Sequence, residues 1–294
     1  MTEFRNLELS SKKIFDAYTK NKYENSEASF ANMFIWRDFY NIRYSESNGF
    51  LTVIFTDLSG KMKSYMPYGS GDLKQCTDSL AEYFEKNAQK LEIVSADSDT
   101  ANLLKDIYPD ISVEENTGFN DYVYLSQSLI SLSGKKLHSK KNHLNKFRST
   151  YDYLYREMEK SDFDECLNLA VNLMRKKRDE NSVSFMAERQ SIKNTFDNFD
   201  FLELSGGVIE IDGKICAFSV GEALTEETAL IHIEKADTSY SGIYAAINNE
   251  FVKNRWSGYK YINREEDMGI AGLRKAKMSY KPDHMVKKYI CRFN

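Results

Sequence analysis

An α/β chain, with antiparallel strands at its centre and helices covering them, is the fold class the sequence predicts. Three observations lead there. Stretches of helical periodicity alternate with short apolar runs along the whole chain. Asp212-Gly213 separates two strand-like runs, Gly207–Ile211 and Lys214–Val220, and is the dipeptide that a tight two-residue hairpin turn requires. With 294 residues, 41% of them hydrophobic, the chain has enough apolar material for about two compact cores.

In chain order, residues 10–22 read as a helix, and a polar and aromatic stretch runs through Trp36 to strands near 39–45, 50–57 and 61–66. Phe50-Leu-Thr-Val-Ile-Phe alternates only in part, as a strand buried on both faces does. A helix over 72–89 carries Leu73, Leu80 and Phe84 on one side and leads to Leu91–Val94, a short buried strand. The next helix, 98–107, stops before Pro109, because the residue preceding proline is driven out of the helical region. Strands near 111–115 and 121–126 close this half.

The second half opens on a basic helix whose inner side is marked by Leu137, Leu144 and Phe147. Lys135, Lys136, Lys140, Lys141, Lys146 and Arg148 place six cations within 14 residues there. A strand at Tyr151–Arg156 follows, then a helix from Asp162 with Cys166, Leu169 and Leu173 inward, and a helix over 186–199. After the hairpin comes a third strand, Thr228–Lys235. A helix, Ile243–Trp256, repeats apolar Ile243, Ile247 and Phe251 at i, i+4 and i+8. Tyr259–Asn263 reads as a strand, Ile270 onward as a helix with Ile270, Leu273, Ala276 and Tyr280 on one apolar face, and Met285–Phe293 as a last strand. Only Pro67, Pro109 and Pro282 interrupt the chain, and no Pro-rich or Ser-rich linker occurs. The element order divides it into domains over 1–130 and 131–294.

Charge and motif content narrow the function. A net charge of -4 argues against a nucleic-acid footprint over the whole surface, although the basic helix leaves a local one open. Cys76, Cys166, Cys216 and Cys291 form no C-x-x-C pair, and His138, His143, His232 and His284 lack zinc-ligand spacing, so no metal is expected. No apolar run approaches the length of a membrane span and the N-terminus lacks signal-peptide order, so a cytoplasmic protein with free thiols is expected. A Walker A loop, a dinucleotide-binding glycine pattern and a Gly-x-Ser-x-Gly elbow are all absent.

Five candidates remain. Period-two geometry puts Leu230, His232 and Glu234 on one strand face, where an imidazole and a carboxylate either share a proton as a general base or form a structural pair. Ser239, Ser241 and Gly242, before the helix at Ile243, suit either an anion at a helix N-terminus or a plain cap. Lys140, Lys141 and Asn142 are the candidates for phosphate on the basic helix, whose bland alternative is a solvated face. Glu265, Glu266 and Asp267 read as the acidic start of a helix or as the receptor for an amine. Lys277 interrupts the apolar stripe of that helix, and spacing alone favours a snorkelling side chain.

Gly272-Leu-Arg-Lys-Ala-Lys277-Met-Ser-Tyr280-Lys-Pro282 followed by Lys288-Tyr289 resembles the C-terminal domain of the phosphatidylglycerol lysyltransferase family, whose pattern runs Gly-Leu-Arg-x-Phe-Lys-x-x-Phe-x-Pro and then Arg-Tyr. Gly272, Leu273, Arg274, Lys277 and Pro282 match; Ala276, Tyr280 and Lys288 depart from it. Residues 133–147 and Asn263–Ile270 look like signatures of a bacterial branch of the same group. The resemblance implies two tandem GNAT-like acyltransferase domains with central mixed sheets, as also found in Fem-type transferases that use charged tRNA. It carries onto Lys277 the role of a lysine near the transferred acyl group, where an ammonium stabilises a developing oxyanion. Under it, His232 or Glu234 takes the proton, Arg274 and Lys141 hold phosphate, and Arg264 with Glu265–Asp267 binds substrate. The acetyl-CoA loop pattern Arg/Gln-x-x-Gly-x-Gly/Ala is met by Ser239-Tyr-Ser-Gly242-Ile-Tyr244 at one glycine only. The expected activity is therefore acyl transfer without a required cofactor, from aminoacyl-tRNA or, as the alternative, acyl-CoA, to a small-molecule, peptide or lipid head-group acceptor. A non-catalytic binding protein is the remaining reading.

Overall fold

The structure, a computed structural model, describes residues 3–293. The chain divides into two compact units, and the division is not a single cut near residue 130. One unit holds the chain up to Asp121, Glu266–Gly269 and everything from Val286; the other holds Tyr122–Glu265 and Ile270–Met285.

The first unit begins with β1 (Arg5–Asn6), α1 (Lys12–Thr19), α2 (Phe30–Tyr40), β2 (Arg43–Ser47), β3 (Phe50–Thr56), β4 (Met62–Tyr65) and β5 (Tyr68–Gly69). It continues through α3 (Leu73–Lys86), β6 (Glu92–Ala96), α4 (Ser98–Ile107) and β7 (Ser112–Glu115). Helix α2 occupies a stretch expected to be irregular and then extended. Phe30, Ala31, Met33, Phe34 and Ile35 are all buried, so no polar face marks its period. Its start is nonetheless conventional, with the Ser29 hydroxyl accepting from Asn32 N at 2.9 Å, and left-handed Asn41 (φ 47°) ends it.

The second unit contains β8 (Asp121–Leu125), α5 (Ser126–Ser131), α6 (His138–Thr150), β9 (Tyr153–Glu157), α7 (Phe163–Arg175), α8 (Val183–Asp197), β10 (Ser205–Ile211), β11 (Lys214–Ala223) and β12 (Thr228–Ala236). Then come α9 (Ile243–Arg255), β13 (Tyr261–Asn263), α10 (Ala271–Met278) and β14 (His284–Val286). Their sheet runs β14-β8-β13-β12-β11-β10-β9. The expected single last strand is broken at Lys287-Lys288. Its second part, β15 (Tyr289–Arg292), lies in the first unit, whose sheet runs β1-β2-β3-β4-β6-β15-β7 with β5 added on β3. No helix among the described residues is long and apolar enough to cross a membrane.

Three local features of the second unit position its chemistry. Asp212 (φ 52°) and Gly213 (φ 73°) both take the left-handed conformation of the expected hairpin turn and pair Ile211 with Lys214. Farther along, β12 bulges: Val220 pairs with Ile233 and Gly221 with Ile231, which leaves His232 as the extra residue. Beyond β12 the chain crosses over through α9 to β13, which pairs parallel with β12. Helix α9 is buried along most of its length, with Ile247, Phe251 and Val252 fully inside the core beside Phe147 and Trp256.

The terminal helix departs from expectation. It is short, Ile270 is 46% and Leu273 39% exposed, and Ala276 is exposed as well. Only Tyr280, beyond the helix end, is buried. On α7 the buried residues are Cys166, Ala170, Val171 and Met174, with Leu169 and Leu173 half-buried.

Candidate active site

Gly242 ends the β12–α9 loop at φ 92°, a left-handed conformation, and a Cβ there would stand 2.4 Å from the carbonyl oxygen of His143. Only glycine satisfies both demands, and it brings the start of α9 against α6. A cavity of about 210 Å³ opens at this junction, lined by Lys140 and His143 from α6, Gly242 to Ala245 at the start of α9, and Tyr240 and Tyr280. Of the N–H groups around the turn, Tyr240 donates to the Asp237 carbonyl, Ser241 to the Tyr151 hydroxyl at 3.2 Å and Ile243 to the Tyr240 carbonyl. Gly242 N–H and Tyr244 N–H have no acceptor among the described residues. A helix N-terminus with two open amides and a lysine beside it is an environment for an anion.

Tyr280 links this cavity to a buried charge network. The Lys140 ammonium stands 4.3 Å from the centre of its ring and the Arg264 guanidinium 4.9 Å from it. Burial lowers the Lys140 pKa, the nearby charge of Arg264 lowers it further, and Glu234 offsets part of this. Burial pushes the Tyr280 phenol up to about 12, against the pull of Arg264 and with the push of Glu234, so it is a neutral hydrogen-bond donor at neutral pH. Arg264 Nη2 donates to Glu234 Oε1 at 2.9 Å, and Asn248 Nδ2 donates to the other Glu234 oxygen at 3.2 Å. Arg264 Nη1 is buried and has no partner. A buried donor left unpaired costs free energy, so it marks a place where an acceptor is missing.

The segment after Arg264 is strained and tied down from several sides. Glu265 takes φ 57°, its N–H donates to Asn263 Oδ1 at 2.8 Å, and its carbonyl accepts from Tyr122 N–H. Lys277 Nζ donates to the carbonyls of both Arg264 and Glu265. The Glu265 carboxylate meets His232 Nδ1 at 3.0 Å, while Glu222 meets Nε2 at 2.9 Å.

These contacts revise the sequence-based roles. His232 and Glu234 do not share a proton with each other, because the bulge breaks the period-two face. The His232 side chain is 2% exposed; burial works against its charge, but the hydrogen bonds to Glu222 and Glu265 outweigh this and raise its pKa to about 10. At neutral pH it is an imidazolium clamped between two carboxylates, not a proton acceptor. The ammonium of Lys277 holds the backbone of the Arg264–Glu265 turn, where an oxyanion-binding role was expected. Glu265–Asp267 do not begin a helix: Glu265 serves the clamp, Asp267 is fully buried and accepts from Gly269 N–H at 2.8 Å, and Glu266 belongs to the first unit. Lys140 and Gly242 both line the cavity; Ser241, Lys141 and Arg274 are exposed and do not line it. Sequence reasoning missed His143, Tyr240, Tyr244, Glu222 and Asn248. Glu222 carried no local signal, since its partnership with His232 follows from the bulged register of β11 on β12.

A model of the C-terminal region of phosphatidylglycerol lysyltransferase matches residues 19–292. A crystal structure of a conserved protein of unknown function from Bacteroides thetaiotaomicron is 35% identical, covers 100% of both chains and superposes with a TM-score of 0.91. The C-terminal domain of a putative lysylphosphatidylglycerol synthetase from Agrobacterium fabrum shares 14% identity over 98% of this chain and 93% of its own, with a TM-score of 0.67. An uncharacterised protein of Mycoplasmoides gallisepticum is 26% identical over 188 residues, 62% of this chain and 59% of that protein. The aligned region thus spans less than two thirds of that curated relative's length. The two mixed sheets flanked by helices form a tandem GNAT-like fold. The chain belongs to the phosphatidylglycerol lysyltransferase C-terminal family.

Proposed function

We propose that the second unit transfers an aminoacyl group from charged tRNA to an amine or hydroxyl acceptor, with the donor held at the start of α9. The observation that carries this reading is the meeting of two open amides, Lys140 and Tyr280 in one cavity, next to a guanidinium with an unpaired N–H. The amides and Lys140 take the donor's terminal phosphate, and Arg264 Nη1 faces the acyl oxygen as negative charge develops on it. The acceptor attacks the acyl carbon, the ester bond to the donor breaks, and the attacking group's proton passes to Glu234, whose position Arg264 and Asn248 fix, and from there to the departing ribose oxygen of the donor. His232 and Lys277 act indirectly, by holding the turn that aims Arg264.

Two features favour an aminoacyl donor over acetyl-CoA. Tyr244 stands where the acetyl-CoA loop has a second small residue, and about 210 Å³ accommodates one end of a donor rather than a whole pantetheine chain. The exposed lysines 135, 136, 141 and 146 along the same basic segment as Lys140 suit a polyanion. The test is incubation of the purified protein with a panel of charged tRNAs and acyl-CoAs, with donor deacylation followed by mass spectrometry. Turnover of charged tRNA that Lys140→Ala abolishes supports the reading; turnover of acyl-CoA alone replaces the donor, and consumption of neither removes the catalytic assignment.

A further inference from the structure

In acyl transfer as described, one buried polar atom of the site, Asn248 Oδ1, has no task. Asn248 is 2% exposed and lies one helical turn beyond Tyr244 on α9; Tyr244 lines the cavity, so Asn248 sits just inward of its wall. Its Nδ2 donates to Glu234 at 3.2 Å, while Oδ1 is buried with no hydrogen-bond partner among the described residues. The amide is not free to reverse. Only its NH2 end can face a carboxylate oxygen, so the carbonyl end is the one left open.

Arg264 mirrors this arrangement across Glu234. Its Nη2 donates to the carboxylate at 2.9 Å and its Nη1 is buried and unpaired. The Glu234 and Arg264 side chains are themselves largely buried. One carboxylate is thus flanked by an unpaired acceptor and an unpaired donor, each of which costs free energy until a ligand pairs it.

Arg264 Nη1 has the acyl oxygen as its partner, and Asn248 Oδ1 needs a hydrogen from another group. Its position selects the nucleophile. Oδ1 belongs to the same amide whose NH2 holds Glu234, so a nucleophile close enough to hand Glu234 a proton is within reach of Oδ1 too. A hydroxyl has one hydrogen, and giving it to Glu234 leaves Asn248 unpaired. A primary amine has two and satisfies both. We infer, resting on the transfer reading above, that the acceptor is a primary amine and that Asn248 Oδ1 positions it for attack.

The amine nitrogen bonds to the acyl carbon and the ester bond to the donor breaks. One N–H proton passes through Glu234 to the departing oxygen. The other stays on nitrogen and still donates to Asn248 in the amide product. A hydroxyl acceptor would give an ester whose bridging oxygen carries no hydrogen, and a secondary amine an amide with no N–H left.

Binding without a donor tests the selectivity by itself. Trifluoroethylamine is a free base at neutral pH, trifluoroethanol is its hydroxyl counterpart, and N-methyltrifluoroethylamine has one N–H fewer. Each is titrated into the purified protein while its fluorine resonance is followed. The primary amine should bind saturably and about tenfold more tightly than the alcohol, the gain of one hydrogen bond. Asn248→Leu should erase that preference, and the wild-type comparison decides if this variant fails to fold. The assignment is overturned by no saturable binding of the primary amine, by an alcohol or secondary amine that binds as well, or by a folded Asn248→Leu that keeps the preference. A second arm adds charged tRNA and follows products by mass spectrometry, with amide expected in excess over ester. Ester formed as readily as amide overturns the amine assignment and keeps the transfer reading. Selective amine binding without donor deacylation removes the transfer reading and leaves the amine selectivity standing.

Discussion

His232 Nε2 lies 2.9 Å from Glu222 Oε1, an ion pair that joins β12 to β11 across the bulge in their register. With Glu265 on the other ring nitrogen, one imidazolium braces the sheet and the turn that carries Arg264. The pair turns a residue expected to move a proton into one that keeps it.

This clamp makes stability depend on pH in a defined direction. The folded-state pKa of His232, about 10, lies above the ordinary value of 6.5. The protonated clamp thus contributes fully below pH 6.5, and the contribution is lost as pH rises toward 10. Urea unfolding at pH 6, 8 and 10 should show a steady decline in the wild type and a flatter one in His232→Gln. At pH 7 the variant should lose about 3–5 kcal/mol, since Glu222 and Glu265 then face each other without the cation.

Gly242→Ala should damage both fold and cavity. Its Cβ would meet the His143 carbonyl oxygen at 2.4 Å in a left-handed backbone. A cost of about 1–3 kcal/mol is expected from the conformation alone, read as a lower melting temperature. Inorganic phosphate should raise the melting temperature of the wild type and not that of the variant.

Lys140→Ala should leave the melting temperature close to that of the wild type, because the ammonium pairs with a ring face and, among the described residues, with no carboxylate. Transfer activity should fall about 10²-fold, as for removal of a preorganised charge at a reacting centre. Lys277→Ala differs in kind: freeing the Arg264 and Glu265 carbonyls should lower stability by about 1–3 kcal/mol along with activity.

In the first unit, Lys288→Met should cost about 3–5 kcal/mol by leaving Glu27 and Asp121 buried without their cation. Adding Glu27→Gln to that variant should restore part of the loss, because it removes one of the two stranded charges. A double-mutant cycle of urea unfolding measures the coupling.

Much of the site's scaffold was legible locally. The Asp212-Gly213 turn, the amphipathic α9, the loop before it and the basic α6 each announce themselves through short-range chemistry, and Lys140 and Gly242 followed from that. What failed was any inference that needed register. A single extra residue in β12 turned His232 toward Glu222, ten positions earlier, and no period-two count anticipates a bulge. The apolar stripe of α10 failed for a related reason: Leu273 and Lys277 lie near each other on a helical wheel, yet Leu273 stays 39% exposed while the Lys277 ammonium reaches the backbone carbonyls of the Arg264 turn.

By itself the sequence determined the fold class, most elements and the family, because turn dipeptides, helical periodicity and the Gly272–Pro282 pattern act over a few residues. Tertiary structure alone decided which charges meet. Lys288 joins Glu27 and Asp121, and Arg264 joins Glu234 and Tyr280, across separations in sequence that only sheet pairing and chain return can close. Burial then decides what each group does. The same imidazole that titrates near neutrality in water becomes a fixed cation between two carboxylates.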